Sequence, residues 1–210
     1  MTALPNVYQK PLSASFQSAL LNQLANRLAA LPHDPTPQPY AVLIVLTDAP
    51  RPQILYSVRA AHLREHAGEV AFAGGRREDE DVSNAATALR EAHEEVGILP
   101  TAVQVLGELP LAFGKSGRAV KPIVGVIAPN TVLTLQADEI ARIFWADLLT
   151  LISQPTVPYA YPYGKQVYIS PSFSIAGETV WGLTARITAS LLKVGFDRDV
   201  RWYQRLEPRR

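Results

Sequence analysis

Cysteine is absent from the 210 residues, which excludes disulfides, thiolate metal sites and cysteine nucleophiles. Neither sign of charge dominates: 20 Lys and Arg against 19 Asp and Glu leave a net charge of +1. That balance supplies no bulk attraction to nucleic acid or to an anionic membrane. No apolar run approaches the length of a membrane span. The opening residues, MTALPNVYQK, lack the basic-then-apolar pattern of a secretory signal. Internal repeats and low-complexity tracts are missing too. What is left is an ordinary globular composition, 48% hydrophobic and 19% charged, in a chain long enough to bury a core. A soluble, cytoplasmic protein is expected. Its main domain is placed at residues 40–200, after a helix and Pro-rich connector at 1–39 and before a tail at 201–210.

The most informative stretch runs from Gly68 to Ile98. Its second half reads as an amphipathic helix, with Asp81 to Asn84 as candidate caps and Gly97 as the stop. Ala85, Leu89, Ala92 and Val96 recur at helical spacing and predict a narrow buried stripe. Glu91, Glu94 and Glu95 stand at i, i+3 and i+4, so they are expected to share another face. Like charges so close repel by roughly 0.2–0.5 kcal/mol per helical pair. A divalent cation turns that repulsion into binding, and hard carboxylate oxygens suit Mg²⁺ or Mn²⁺. An isolated Glu-x-x-Glu-Glu would read as a solvated acidic face. Here it follows an apolar strand, a Gly74-Gly75 turn and an acidic loop, and that order of parts favours a site.

Elsewhere, Phe16, Leu20, Leu21, Leu24 and Leu28 predict a packing helix over 13–30, capped by Ser13 or Ser15. Prolines at 32, 35, 37 and 39 make the next segment a stiff connector. The fully apolar run 41–46 predicts a strand covered on both faces, with 53–58 as its antiparallel partner. Further strands are expected at 69–72, 103–112, 122–128 and 140–145, and a helical turn or two at 146–152. Residues 154–174, rich in Pro and Tyr, read as a long excursion holding a short strand at 167–170. A last packing helix is expected at 181–194. Strands and helices so interleaved fit a mixed sheet between helices.

The run Arg90-Glu91-Ala92-His93-Glu94-Glu95-Val96-Gly97-Ile98 resembles the second half of the Nudix hydrolase signature. The first half departs from it. Counted from Gly75, the acidic position falls on Asp81 rather than Glu, and the gap to Arg90 is one residue longer than the usual pattern. Upstream, Arg59, Ala60, Arg64, Gly68, Phe72, Gly74 and Gly75 are similar to the motif of the coenzyme A pyrophosphatase branch, with Ala73 in place of a Pro. Lys115-Ser116-Gly117, Val120 with Pro122, and Trp181 to Ala185 extend the likeness, which spans about residues 40–195.

The resemblance implies an α/β/α sandwich with a mixed β-sheet, and hydrolysis of a diphosphate assisted by Mg²⁺ or Mn²⁺. It implies Glu91 and Glu95, assisted by Glu94, as metal ligands, and Glu94 or Glu69 as the general base. Arg90 would hold the carboxylates in place. Arg59, Arg64, Gly74 and Gly75 would receive the diphosphate, and Lys115 and Arg118 a further phosphate. The implied substrate is coenzyme A or an acyl derivative. ADP-ribose, NADH or a nucleoside triphosphate is the alternative, and a silent nucleotide-sensing domain is the reading from another class. Glu139 is a weaker carboxylate candidate. Tyr159, Tyr161, Tyr163 and Tyr168 read as an aromatic wall or as packing. His33, His62, His66 and His93 lack the companions a zinc site needs. A homodimer is the default for a small soluble enzyme.

Overall fold

The computed structural model describes residues 15–114, 117–163 and 166–200. Lys115, Ser13 and the tail at 201–210 lie outside them, as do the side chains of Tyr163 and Tyr168. The elements run α1 (Ala19–Ala29), β1 (Tyr40–Thr47), β2 (Gln53–Arg59), β3 (Val70–Ala71), β4 (Ala73–Arg76) and α2 (Asn84–Val96). After a short 3₁₀ turn come β5 (Gln104–Glu108), β6 (Ala112–Phe113), β7 (Ala119–Ile127), β8 (Ile140–Asp147) and α3 (Leu148–Ser153). The chain then makes β9 (Val157–Tyr163), β10 (Gln166–Ile175), β11 (Glu178–Val180) and α4 (Gly182–Phe196).

The apolar run of β1 sits at the centre of an eight-stranded sheet ordered β3-β2-β1-β7-β5, with β4 on β1, β6 on β7 and β8 on β2. β1 and β7 pair in parallel from Tyr40↔Val120 to Thr47↔Ile127, and the other pairings in this sheet are antiparallel. The sheet is therefore mixed. Side chains alternate across it and divide the core in two. Ile44, Leu46, Val124 and Val126 pack under α1 and α4. Leu43, Val45, Ile123 and Ile127 pack under Ala85, Ala88, Leu89, Ala92 and Val96 of α2. Helices on both faces of a mixed sheet make the α/β/α sandwich.

Several details depart from the sequence expectations. α1 is capped by Ser18, whose Oγ accepts from Leu20 N at 3.2 Å, rather than by Ser15. The Asn22 amide explains the late start, since it accepts from Phe16 N at 2.9 Å and donates to Phe16 O at 3.0 Å. β2 meets β1 at Leu46↔Ile54 and pairs more extensively with β8. The expected strand 103–112 divides into β5 and β6 around Pro110, which has no N–H to give a ladder. The excursion at 154–174 is an antiparallel pair, β9 and β10, extended by β11 into a three-stranded sheet.

Gly74 and Gly75 do not form a turn. They lie within β4, opposite Val42 and Ala41 of β1. The connector at 32–39 is strapped down near the start of α2: Gln38 N donates to Asn84 Oδ1 at 2.8 Å, and Asn84 Nδ2 donates to Thr36 O at 3.0 Å. Its other end is held by Glu108, whose Oε1 accepts from Asp34 N at 2.9 Å.

Candidate active site

Helix α2 carries the site, and its ends are fixed by local chemistry. Ser83 caps its start, accepting from Ala86 N at 3.1 Å. Gly97 ends it at φ 73°, a left-handed conformation that favours glycine. The stripe of Ala85, Leu89, Ala92 and Val96 is buried as its spacing requires. The three glutamates differ in environment. Glu95 is only 3% exposed, Glu91 is half-buried, and the Glu94 side chain is 56% exposed at the rim.

Glu95 reaches the neighbouring strand, where its Oε2 accepts from Gly74 N at 3.1 Å. Its Oε1 lies 3.7 Å from Arg59 Nη1, at the end of β2. Burial pushes the Glu95 carboxyl up to about 8, aided by the charges of Glu91 and Glu139 and opposed by the Gly74 N–H and Arg59. Burial likewise raises Glu91. Gly75 explains where Glu91 fits: a Cβ there would stand 2.5 Å from Glu91 Oε1. The paired glycines thus make room for β1 on one side and for a carboxylate on the other.

Arg90 is the hub of this face. Its Nε and Nη2 donate to Asp81 Oδ1 and Oδ2 at 3.2 and 3.1 Å. Nη2 also reaches Glu91 Oε1 at 3.1 Å and Arg76 O at 2.8 Å, and Nη1 reaches Glu94 Oε2 at 3.0 Å. The Asp81 hydrogen bonds are the main reason the guanidinium's pKa is raised. Burial works against the Asp81 carboxylate, yet Arg90, Glu78 N and Thr87 hold it below its ordinary range. Asp81, 6% exposed, is therefore the anchor of Arg90. The sequence departure at that position leaves the carboxylate in use.

The remaining candidates are more scattered. Glu69 pairs with His66 Nδ1 at 2.9 Å. Arg64 and Arg118 are exposed, the latter with its guanidinium 5.7 Å from the centre of the Tyr40 ring. Tyr159 and Tyr161 pack on Trp181 at 4.9 and 5.0 Å between ring centres. His33 contacts Glu108 at 3.3 Å, while His62 and His93 are exposed. Glu139 was ranked low by sequence, but its charge acts on both Glu91 and Glu95. Its backbone carbonyl also accepts from Ala60 N at 2.8 Å, beside Arg59. The spacing within α2 could not reveal a carboxylate arriving from the start of β8.

The donors suit a hard divalent cation. Glu95 is a buried carboxylate whose charge is incompletely compensated, and a cation would supply what is missing. As the side chains stand, no three acidic or imidazole groups among the described residues are gathered closely enough to hold an ion. The chemistry fits; the ligand set is not yet closed.

The NUDIX domain profile matches residues 37–162, and the chain belongs to the Nudix hydrolase family, enzymes that cleave pyrophosphate bonds and generally use divalent metal ions. It is 40% identical over 160 residues to a protein of Salmonella paratyphi B named uncharacterized Nudix hydrolase NudL, covering 74% of this chain and 82% of that one. The NudL of Salmonella newport gives the same figures. Among solved structures, a C. elegans Ap4A hydrolase binary complex aligns at 18% identity and TM-score 0.46, over 54% of this chain and 83% of its own. A MutT/nudix family protein from Enterococcus faecalis aligns at 16% identity and TM-score 0.46, over 80% and 63%. Likenesses of that size carry no argument about substrate.

Proposed function

We propose that the protein hydrolyses the diphosphate of coenzyme A or an acyl-coenzyme A, giving 4′-phosphopantetheine and adenosine 3′,5′-bisphosphate. The observation that carries this reading is the position of Arg59. The arginine that opens the upstream motif has its guanidinium beside Glu95, the most buried carboxylate of the α2 face. A diphosphate lying between them would meet a donor fork on one side and the carboxylate array on the other.

Glu91 and Glu95, with Glu94 beside them, are the residues that would hold Mg²⁺ or Mn²⁺. When bound, the ion supplies charge neutralisation at the phosphoryl oxygens and a lowered pKa for water. Glu94, at the water-accessible rim, takes a proton from the attacking water; Glu69 is the other carboxylate for that role. Arg90, held by Asp81, fixes the orientation of Glu91 and Glu94. Arg64, Gly74, Gly75, Lys115 and Arg118 complete the substrate contacts. We place the enzyme in the cytoplasm as a homodimer, with a small nucleotide as its partner. No helix among the described residues is long and apolar enough to cross a membrane.

Product analysis tests the reading. Purified protein with Mg²⁺ or Mn²⁺ should convert coenzyme A into the two named products, and Glu94→Gln and Glu95→Gln should each lose most of the turnover while staying folded. Preferential hydrolysis of ADP-ribose or NADH in the same panel would replace the substrate assignment. Wild-type turnover in both variants would remove the site.

A further inference from the structure

Two arginines face the α2 carboxylates, and they are held very differently. Arg90 makes five hydrogen bonds of 2.8–3.2 Å. Among the described residues, Arg59 has one ion contact, to Glu95 at 3.7 Å, longer than a hydrogen bond. Its Nε is buried without a hydrogen-bond partner. Yet the stalk of Arg59 is firm. Its N donates to Glu69 O at 3.0 Å, its O accepts from Gly68 N at 3.1 Å, and the β2–β8 register shifts between Val58 and Arg59. A fixed backbone thus carries an under-used guanidinium, three-quarters buried, toward one oxygen of Glu95. The other oxygen of Glu95 is already occupied by Gly74 N.

We propose that Arg59 pairs with Glu95 Oε1 until a divalent cation takes that oxygen, and then turns to the diphosphate. Cation and diphosphate then bind cooperatively. This rests on the site reading above, and goes beyond it by making Arg59 the element that couples the two ligands. A divalent cation on Glu95 Oε1 and the Arg59 guanidinium 3.7 Å from the same oxygen repel each other. Displaced, the fork swings to the nearest unneutralised oxygens, which are those of the diphosphate. Because coupling is reciprocal, diphosphate must tighten the cation as much as the cation tightens diphosphate.

The experiment measures Mn²⁺ binding to the full chain by electron paramagnetic resonance of free Mn²⁺, with and without methylenediphosphonate as a non-hydrolysable probe, and the Mn²⁺ that the probe itself binds is subtracted from the same titration without protein. In the wild type the probe should tighten Mn²⁺ by about 5-fold or more. Arg59→Gln should bind Mn²⁺ alone about 3–10-fold tighter than wild type and lose the effect of the probe. Arg59→Lys, which keeps the charge without the fork, should bind Mn²⁺ as wild type does and still lose the coupling. Arg76→Gln removes an exposed charge next to Gly75 and should change neither quantity by more than about twofold. Unchanged Mn²⁺ affinity in Arg59→Gln, coupling retained in both Arg59 variants, or equal tightening in Arg76→Gln would each overturn the proposal. Wild-type protein that takes up no Mn²⁺ in either condition would overturn the site reading itself, a different and recognisable failure.

Discussion

Gly75 and Glu91 compete for one volume: the Glu91 carboxylate lies where any side chain at position 75 would begin, 2.5 Å from an added Cβ. The atoms that must yield are the far end of a flexible side chain rather than backbone. Gly75→Ala is therefore expected to cost little stability, under about 1 kcal/mol, while turning Glu91 away from its place and lowering kcat about 10–100-fold. Urea unfolding and steady-state kinetics check the two halves. Unimpaired turnover would mean that Glu91 works from some other position.

Asp81 gives a second separation of roles. It receives two hydrogen bonds from Arg90 in a nearly closed environment. Asp81→Asn keeps the shape and removes the charge, so the folded protein should lose about 1.5–3 kcal/mol. With Arg90 loosened, Glu91 and Glu94 lose their common tether, and kcat should fall about 10–100-fold with KM nearly unchanged. A rise in KM at constant kcat would instead give Asp81 a part in binding substrate.

How far such a site can be read from sequence depends on whether its parts are local. The α2 stripe, the Gly97 stop and the apolar β1 run follow from periodicity alone. The paired glycines were misread because Gly-Gly signals a turn locally, and only pairing with β1 shows that they lie in a strand. The strand expected at 167–170 lies inside β10, but its full length and β9 hid because Pro158, Pro162 and Pro171 suppress the usual signal, and edge or hairpin positions tolerate them. Ser83 rather than Asp81 or Asn84 caps α2, because those two side chains are committed to Arg90 and to the connector. The Arg59–Glu95 contact spans 36 positions and the Glu139 influence reaches Glu95 from the turn before β8. No spacing rule reports contacts of that kind.

Gly97 ties helix geometry to the loop that carries Glu139. At φ 73° an added Cβ is strained, and it would lie 2.8 Å from Thr134 N, which donates to Val96 O at 3.0 Å. The next clamp, Gln136 N to Glu95 O at 2.9 Å, belongs to the same segment. Gly97→Ala should destabilise by about 1–3 kcal/mol and lower activity more than stability alone explains. Thermal melting beside kcat shows whether both fall; a neutral substitution would mean that residues 134–139 do not depend on this contact.

The buried Glu95 makes a prediction about pH whose sign is fixed by linkage. Burial disfavours the charge and pushes its carboxyl up to about 8, from about 4.5 in the unfolded chain. The folded chain therefore binds this proton more tightly than the unfolded chain does. The resulting stability is fully present below about pH 4.5 and is lost as pH rises through about 8. At about 1.4 kcal/mol per pH unit, the loss over that window reaches about 5 kcal/mol. Glu91, raised by burial as well, acts in the same sense, whereas the lowered Asp81 acts only in the acid range. With chelator present, urea midpoints should fall between pH 5 and 9 in the wild type and fall much less in Glu95→Gln, where the Glu91 contribution remains. Adding Mg²⁺ at pH 9 should restore the wild type and leave Glu95→Gln where it was, because a cation stabilises the carboxylate that burial penalises. An equal slope in both proteins would show that the pH sensitivity arises from groups other than Glu95.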